Sequence, residues 1–336
     1  SGSTFINTPA SGWGGAIHSG RGGVTVSGST FTNITASNGG GAIYSYSGNV
    51  TVYDSNFIKT MSGDGGGVIY SDGGSVTVSG STFTNTTGVS GGAIFATGDG
   101  GSVTVAGSTF IDTIADSYAG AIYSDNGVNV TNSIFINNTA QLGSAILIAG
   151  DLNLSNSRFI DVDNRGEEII YVVLSNVILN NNTITTNAIP IYNGDFSGQA
   201  PFAIFNSPVY LTFDNITVEE GENATLTAVL TDDNGNIIGS NANITGKVGG
   251  ADVTFAFNNE TKKFTAIYTP PTTGDYTISG NYNNATDCNV INGTLTVTEH
   301  IPDFKDLQNI IDAASPGVVI YLNGTNFTAK PGQTVN

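Results

Sequence analysis

Residues 39–57 read "GGGAIYSYSGNVTVYDSNF". Residues 14–31 read "GGAIHSGRGGVTVSGSTF", and residues 66–83 read "GGVIYSDGGSVTVSGSTF". The same sentence returns, and its columns carry it well beyond these three copies. An isoleucine follows the glycines at Ile17, Ile43, Ile69, Ile94, Ile122, Ile146 and Ile170, 24 to 28 residues apart. A second aliphatic column runs through Val26, Val52, Val78, Val105, Val130 and Leu154. A phenylalanine column runs through Phe5, Phe31, Phe57, Phe83, Phe110, Phe135 and Phe159. Three columns on one period mark an internal repeat, and a repeat of this length means a stacked architecture.

Each column sits in a short β-branched run bounded by Gly, Ser, Asn or Asp, which is strand punctuation. Three short strands per repeat with no helix between them describe one coil of a parallel, right-handed β-helix. Alternation points Val24 and Val26 inward and Thr25 outward. The glycines Gly14, Gly40, Gly66 and Gly91 mark a corner that needs positive φ or close backbone approach. After each phenylalanine stands Asn7, Asn33, Lys59, Asn85, Asp112, Asn137 or Asp161, read here as a ladder passing side-chain hydrogen bonds between coils. The regularity fades after Leu154, and "EEIIYVVLSNVILNNNTI" (167–184) reads as final coils. The rod is assigned to residues 1–207.

From 208 to 299 the period is gone. Runs such as "NATLTAVLT", "DVTFAF", "KFTAIYT" and "GTLTVTE" follow at short intervals, with "DDNGN" (232–236) and "NNETK" (258–262) as hairpin turns. Seven short strands in this span predict an immunoglobulin-like β-sandwich, with Tyr276 in its strand-F element. Residues 300–336 begin something new. Asp303 is placed to cap a helix carrying Phe304, Leu307, Ile310 and Ile311, with Pro316 stopping it and "VVIYL" (318–322) as a buried strand. That is the opening of a further β-helix. The fold class is therefore all-β, with a short C-terminal helix-strand segment.

Composition narrows the function. Net charge is −18 with nine basic residues, so nothing can neutralise a row of phosphates, and nucleic acid is excluded as a partner. The same balance disfavours an anionic membrane surface. No apolar run is long enough to span a bilayer. A single cysteine, Cys288, offers neither an intramolecular disulfide nor a cysteine-based metal site. No nucleotide-binding glycine motif, hydrolase triad or CxxC is present, and no cofactor is expected. The chain opens inside the repeat at "SGSTFINT", which reads as an excerpt from something longer.

The motifs "GGAIYS" and "STFxN" resemble the GGA[I/L/V] and FxxN repeats of polymorphic outer-membrane-type proteins. The order of rod, sandwich and renewed rod start is similar to adhesin-like surface proteins of methanogenic archaea. One departure stands out: the asparagine falls two residues after phenylalanine at Asn7, Asn33 and Asn85, and three after it only at Asn138. The resemblance implies an extracellular adhesive role at the cell surface, with a glycan or protein of another cell as partner, and no catalytic residues. A fibre or surface-layer subunit and a polysaccharide lyase or hydrolase are the competing classes.

The residue after each isoleucine is aromatic in most coils, and Tyr44, Tyr70, Phe95 and Tyr123 form a ladder expected to face solvent and bind, with Trp13 beside it. A stiffening or buried ladder is the plainer reading. Asp161, Asp163, Glu167 and Glu168, with Arg165, make a carboxylate group in "DVDNRGEE" that suits glycosidic or cation chemistry, but a solvated loop explains it better. "DDNGN" lacks the distal glutamate of a calcium loop. His18 and His300 are isolated and suggest no metal. Sequons recur densely, and Asn33, Asn85, Asn137, Asn223 and Asn284 are the candidate glycosylation sites. An open first coil and a C-terminal capping helix together predict head-to-tail self-association.

Overall fold

The computed structural model describes residues 1–161, 168–173, 176–194, 204–316, 318–322 and 324–330. The rod is a parallel β-helix whose like residues stack in register. Ile17 pairs with Ile43, Ile43 with Ile69, Ile69 with Ile94, and so on to Ile170 and Ile191. The phenylalanines stack the same way from Phe5 to Phe159, with ring centroids 4.5–5.0 Å apart and planes within 13° of parallel. Together with the valine column these side chains are buried, apart from the partly buried Phe5 and Ile17 of the first coil. A lone coil cannot shield them, so stacking is what makes the fold stable.

The first five coils have four segments where the sequence predicted three. Beyond the sheets named here for their Ile, Val and Phe columns, a short fourth sheet joins Pro9–Ala10, Thr35–Ala36, Met61–Ser62, Thr87–Ser90 and Ile114–Tyr118. Its strands are mostly two to four residues long and weakly patterned, too short for periodicity to reveal.

The glycine triplet that opens the repeat has three separate causes. A side chain at Gly39 would strike the ring of Tyr70 at 2.0 Å, Gly40 has φ 68°, and a side chain at Gly41 would meet the Gly67 carbonyl of the next coil at 2.1 Å. The column after phenylalanine also serves the backbone. Asn7, Asn33, Lys59, Asn85, Asp112 and Asn137 hold φ between 51° and 54°, the left-handed region that Asn and Asp tolerate best. Among the hydrogen bonds of the described residues, Asn33 reaches its neighbour in this column, donating to Asn7 at 3.1 Å, and the expected asparagine ladder is mainly a row of corner residues. The continuous polar ladder is made of serine. The Ser29 amide donates to Ser55 Oγ, Ser55 to Ser81, Ser81 to Ser108, Ser108 to Ser133 and Ser133 to Ser157, at 3.1–3.2 Å.

The second half of the chain is a nine-stranded β arrangement. Its two halves meet in the long strand Ala251–Asn258, whose first part pairs with Ile244–Val248 and whose end pairs with Lys263–Tyr268. The halves face each other: Phe213 of one lies against Gly280 of the other. All seven runs read from the sequence contain strands here, and two strands escaped that reading, Ile238–Ser240 and Cys288–Ile291.

Ile238–Ser240 belongs to the rod. It pairs in parallel with Ile189–Asn193 as the ninth strand of the Ile sheet. Asn236 accepts from the Ile184 amide and donates to the Asn182 carbonyl, while Asn193 donates to the Tyr282 hydroxyl. The "DDNGN" turn thus docks on the last coil, and the sandwich closes that end of the rod across the boundary placed at 207.

The helix Phe304–Ala313 forms with Asp303 as N-cap and Asp306 completing a capping box. It buries no residue. "VVIYL" is not a buried strand: Val318, Val319 and Tyr321 are 58, 69 and 80% exposed, with no described strand beside them to pair with.

Candidate functional site

The aromatic column alternates with the buried isoleucines and so leaves the rod interior, as the pleat requires. It does not form a free surface. Tyr44 is buried at 7% exposure, which corrects its assignment as a solvent-facing binding residue. Trp13 folds over it, with ring centroids 4.6 Å from Tyr44 and 5.4 Å from Tyr70. Tyr70, Phe95 and Tyr123 are half-buried. Tyr70 lies against Gly39 and Phe95 against Gly65 of the preceding coil, so the corner loops wall the ladder in. Burial, and then the charge of Asp72, push the Tyr70 phenol up to about 12. Burial followed by the hydrogen bond to Asp125 also raises Tyr123. These hydroxyls stay neutral at ordinary pH. Further along, Leu147 and Tyr171 continue the column and form a small second core with Ala119 and Val173.

Of the acidic group, Asp161 and Glu168 are buried, while Asp163, Arg165 and Glu167 lie outside the described residues. Among the described residues no cluster of His, Cys, Asp and Glu could hold a metal ion. His300, isolated in sequence, is not so in space. It contacts Glu219 at 3.0 Å and Asp306 at 2.8 Å, and Lys330 reaches Glu219 at 2.9 Å. Asn33, Asn85, Asn137 and Asn223 are exposed. Asn284 is half-buried, its carbonyl accepting from the Phe205 amide at 2.8 Å.

A hollow on the rod lies elsewhere, on the outer face of the Val sheet. It is a shallow groove of about 350 Å³ crossing four coils. Its floor is the outward position of the V-T-V element, one side chain per coil: Thr104, Asn129, Asn153 and Ile178. All four are exposed. Asp151 edges the groove and is held in place by the backbone and side-chain amides of Asn176, at 3.0 and 3.2 Å. The groove offers hydroxyl and amide groups at coil spacing, one carboxylate acceptor and one apolar platform. Sequence reading put Thr25 and its column outward but drew no site from it. The signal was the replacement of Thr by Asn at Asn129 and Asn153.

Residues 1–159 match the family model described as right handed beta helix region. No curated protein matches the sequence. Among solved structures, an internalin-like protein of Listeria monocytogenes aligns over 67% of this chain and 79% of that one, at 11% identity and a TM-score of 0.21. A likeness of that size carries no weight for function. The fold and its repeats define a parallel β-helix repeat protein.

Proposed function

We propose that this chain is a non-catalytic, extracellular rod and spacer of a surface adhesin, and that the Val-sheet groove binds a neutral glycan. The groove floor carries the proposal. Side chains capable of donating and accepting hydrogen bonds stand one per coil, uncharged, beside an apolar residue, which matches the mixed character of a sugar face. Thr104, Asn129 and Asn153 show no side-chain hydrogen bond within the described residues, so they are available to a ligand. The spacer reading draws on the sandwich. Ile216–Glu219 runs parallel to Gly293–Thr298 while Val209–Phe213 pairs with Ala224–Thr231, and the Tyr276 hydroxyl donates back to the Thr272 carbonyl at 2.8 Å. These features support an immunoglobulin-like module.

A glycan array with the whole chain tests the reading. A neutral oligosaccharide should bind, and Asn129→Ala with Asn153→Ala should weaken it roughly tenfold or more, since two lost hydrogen bonds remove about 1 kcal/mol each. Binding that survives the double substitution but falls with Tyr70→Ala would move the site to the aromatic ladder. Release of reducing ends that Asp151→Asn abolishes would make the protein an enzyme instead.

A further inference from the structure

The corner column after the phenylalanines alternates in a way that the fold does not require. Asn33, Asn85 and Asn137 recur, each 52 residues after the last, on every second coil. Two positions after each stands a threonine: Thr35, Thr87 and Thr139. On the coils between, Lys59 and Asp112 replace the asparagine, and Met61 and Ile114 replace the threonine. The backbone treats all five corners alike, with φ of 51–54°. The short-sheet position accepts exposed Met61 and Ile114 as readily as threonine, at 50 and 38% exposure. Neither the corner nor the strand therefore asks for Asn and Thr together. Over these five coils the pair appears or disappears together, which is the requirement of the Asn-x-Thr acceptor; on the first coil Asn7 stands without it, with Pro9 at the threonine position.

The structure assigns this edge as a modified one: Asn33, Asn85 and Asn137 form a row of N-linked glycan attachment sites on alternate coils. All three side chains are exposed on the convex corner. Asn85 and Asn137 make no side-chain hydrogen bond within the described residues, and Asn33 makes one, to Asn7. Coils stack about 4.8 Å apart, so alternate acceptors stand roughly 9–10 Å apart, which separates neighbouring sugar chains. In the transfer, the asparagine Nδ2 attacks the anomeric carbon of an oligosaccharide carried on a lipid pyrophosphate. The C–N bond forms as the C–O bond to the pyrophosphate breaks. The lipid pyrophosphate leaves with the electron pair, and the amide proton passes to a base of the transferring enzyme. The decorated corner lies between the Phe sheet and the short sheet, away from the Val-sheet groove, and this assignment does not depend on the glycan-binding reading.

The test is secretion of the full chain from a yeast that attaches N-glycans, followed by amidase release in heavy-oxygen water and peptide mass spectrometry. Each occupied asparagine becomes a labelled aspartate. Labels are expected at Asn33, Asn85 and Asn137. Thr35→Val, Thr87→Val and Thr139→Val should each remove one glycan, while the secreted rod keeps its circular dichroism. The assignment fails if fewer than two of the three corners are labelled while Asn223, or a control glycoprotein secreted alongside, is occupied. It also fails if the label falls on Asn129 or Asn153 in place of the corners.

Discussion

Ser81 shows how one small side chain holds two coils. Its hydroxyl accepts from the Ser55 amide at 3.1 Å and donates to the Ser79 carbonyl at 2.8 Å, and the residue is 1% exposed. Ser81→Ala would leave the buried Ser55 amide without its partner, while the Ser79 carbonyl keeps its bond from the Asp54 amide, at a cost of about 1–3 kcal/mol. Chemical denaturation should show a lowered midpoint; an unchanged one would mean that the ladder is not needed. Sequence reading saw serine here only as strand punctuation, because a serine between strands looks alike whether it faces water or closes a ladder. The apolar columns were legible because Ile, Val and Phe at one period leave a single interior. The asparagines were legible as corners but not in role, since a left-handed backbone and a side-chain ladder favour the same residue. The burial of Tyr44 was not legible for another reason: alternation says which way a side chain leaves the sheet, not that Trp13 folds over it.

Among the elements, Ile238–Ser240 ties the two halves together. Tyr282 is fully buried behind it, accepting from Asn193 at 2.8 Å and donating to Ser240 Oγ at 3.1 Å. Tyr282→Phe removes both bonds and should cost about 1–2 kcal/mol. Rod and sandwich should then melt earlier together, followed by amide exchange in both; destabilisation of the sandwich alone would show two independent units. No short-range pattern could announce this pairing, because a three-residue strand joins partners from opposite sides of a long connection. The C-terminal helix is held more lightly. Hydrogen bonding to Asp306, and then to Glu219, raises the His300 pKa above its ordinary 6.5. The bond from Lys330, ahead of that from His300, lowers Glu219 below 4.5. A raised histidine contributes stability that is lost as pH rises through its folded value. A lowered carboxylate contributes stability that is lost as pH falls through its own. The clasp should therefore be tightest in mildly acidic solution, between the two. Amide exchange over Phe304–Ala313 should be slowest there once corrected for intrinsic rates, and His300→Gln should remove the alkaline limb. A profile unchanged by that substitution would refute the clasp.

Over the whole molecule, the repeat turns one coil's outward residue into a column, and a column into a surface. The fold was largely legible in the sequence for that reason. The groove was not, because concavity depends on how far neighbouring loops rise beside the Val sheet, and those loops vary in length from coil to coil. That groove is the proposed ligand surface. Hydrogen–deuterium exchange of the full chain, with and without a neutral oligosaccharide that binds it, is the most direct measurement. Protection should gather on Val103–Ala106, Gly127–Thr131, Asp151–Ser155 and Asn176–Asn180. Protection confined to the aromatic strands around Tyr70 and Phe95, or to the sandwich, would contradict it.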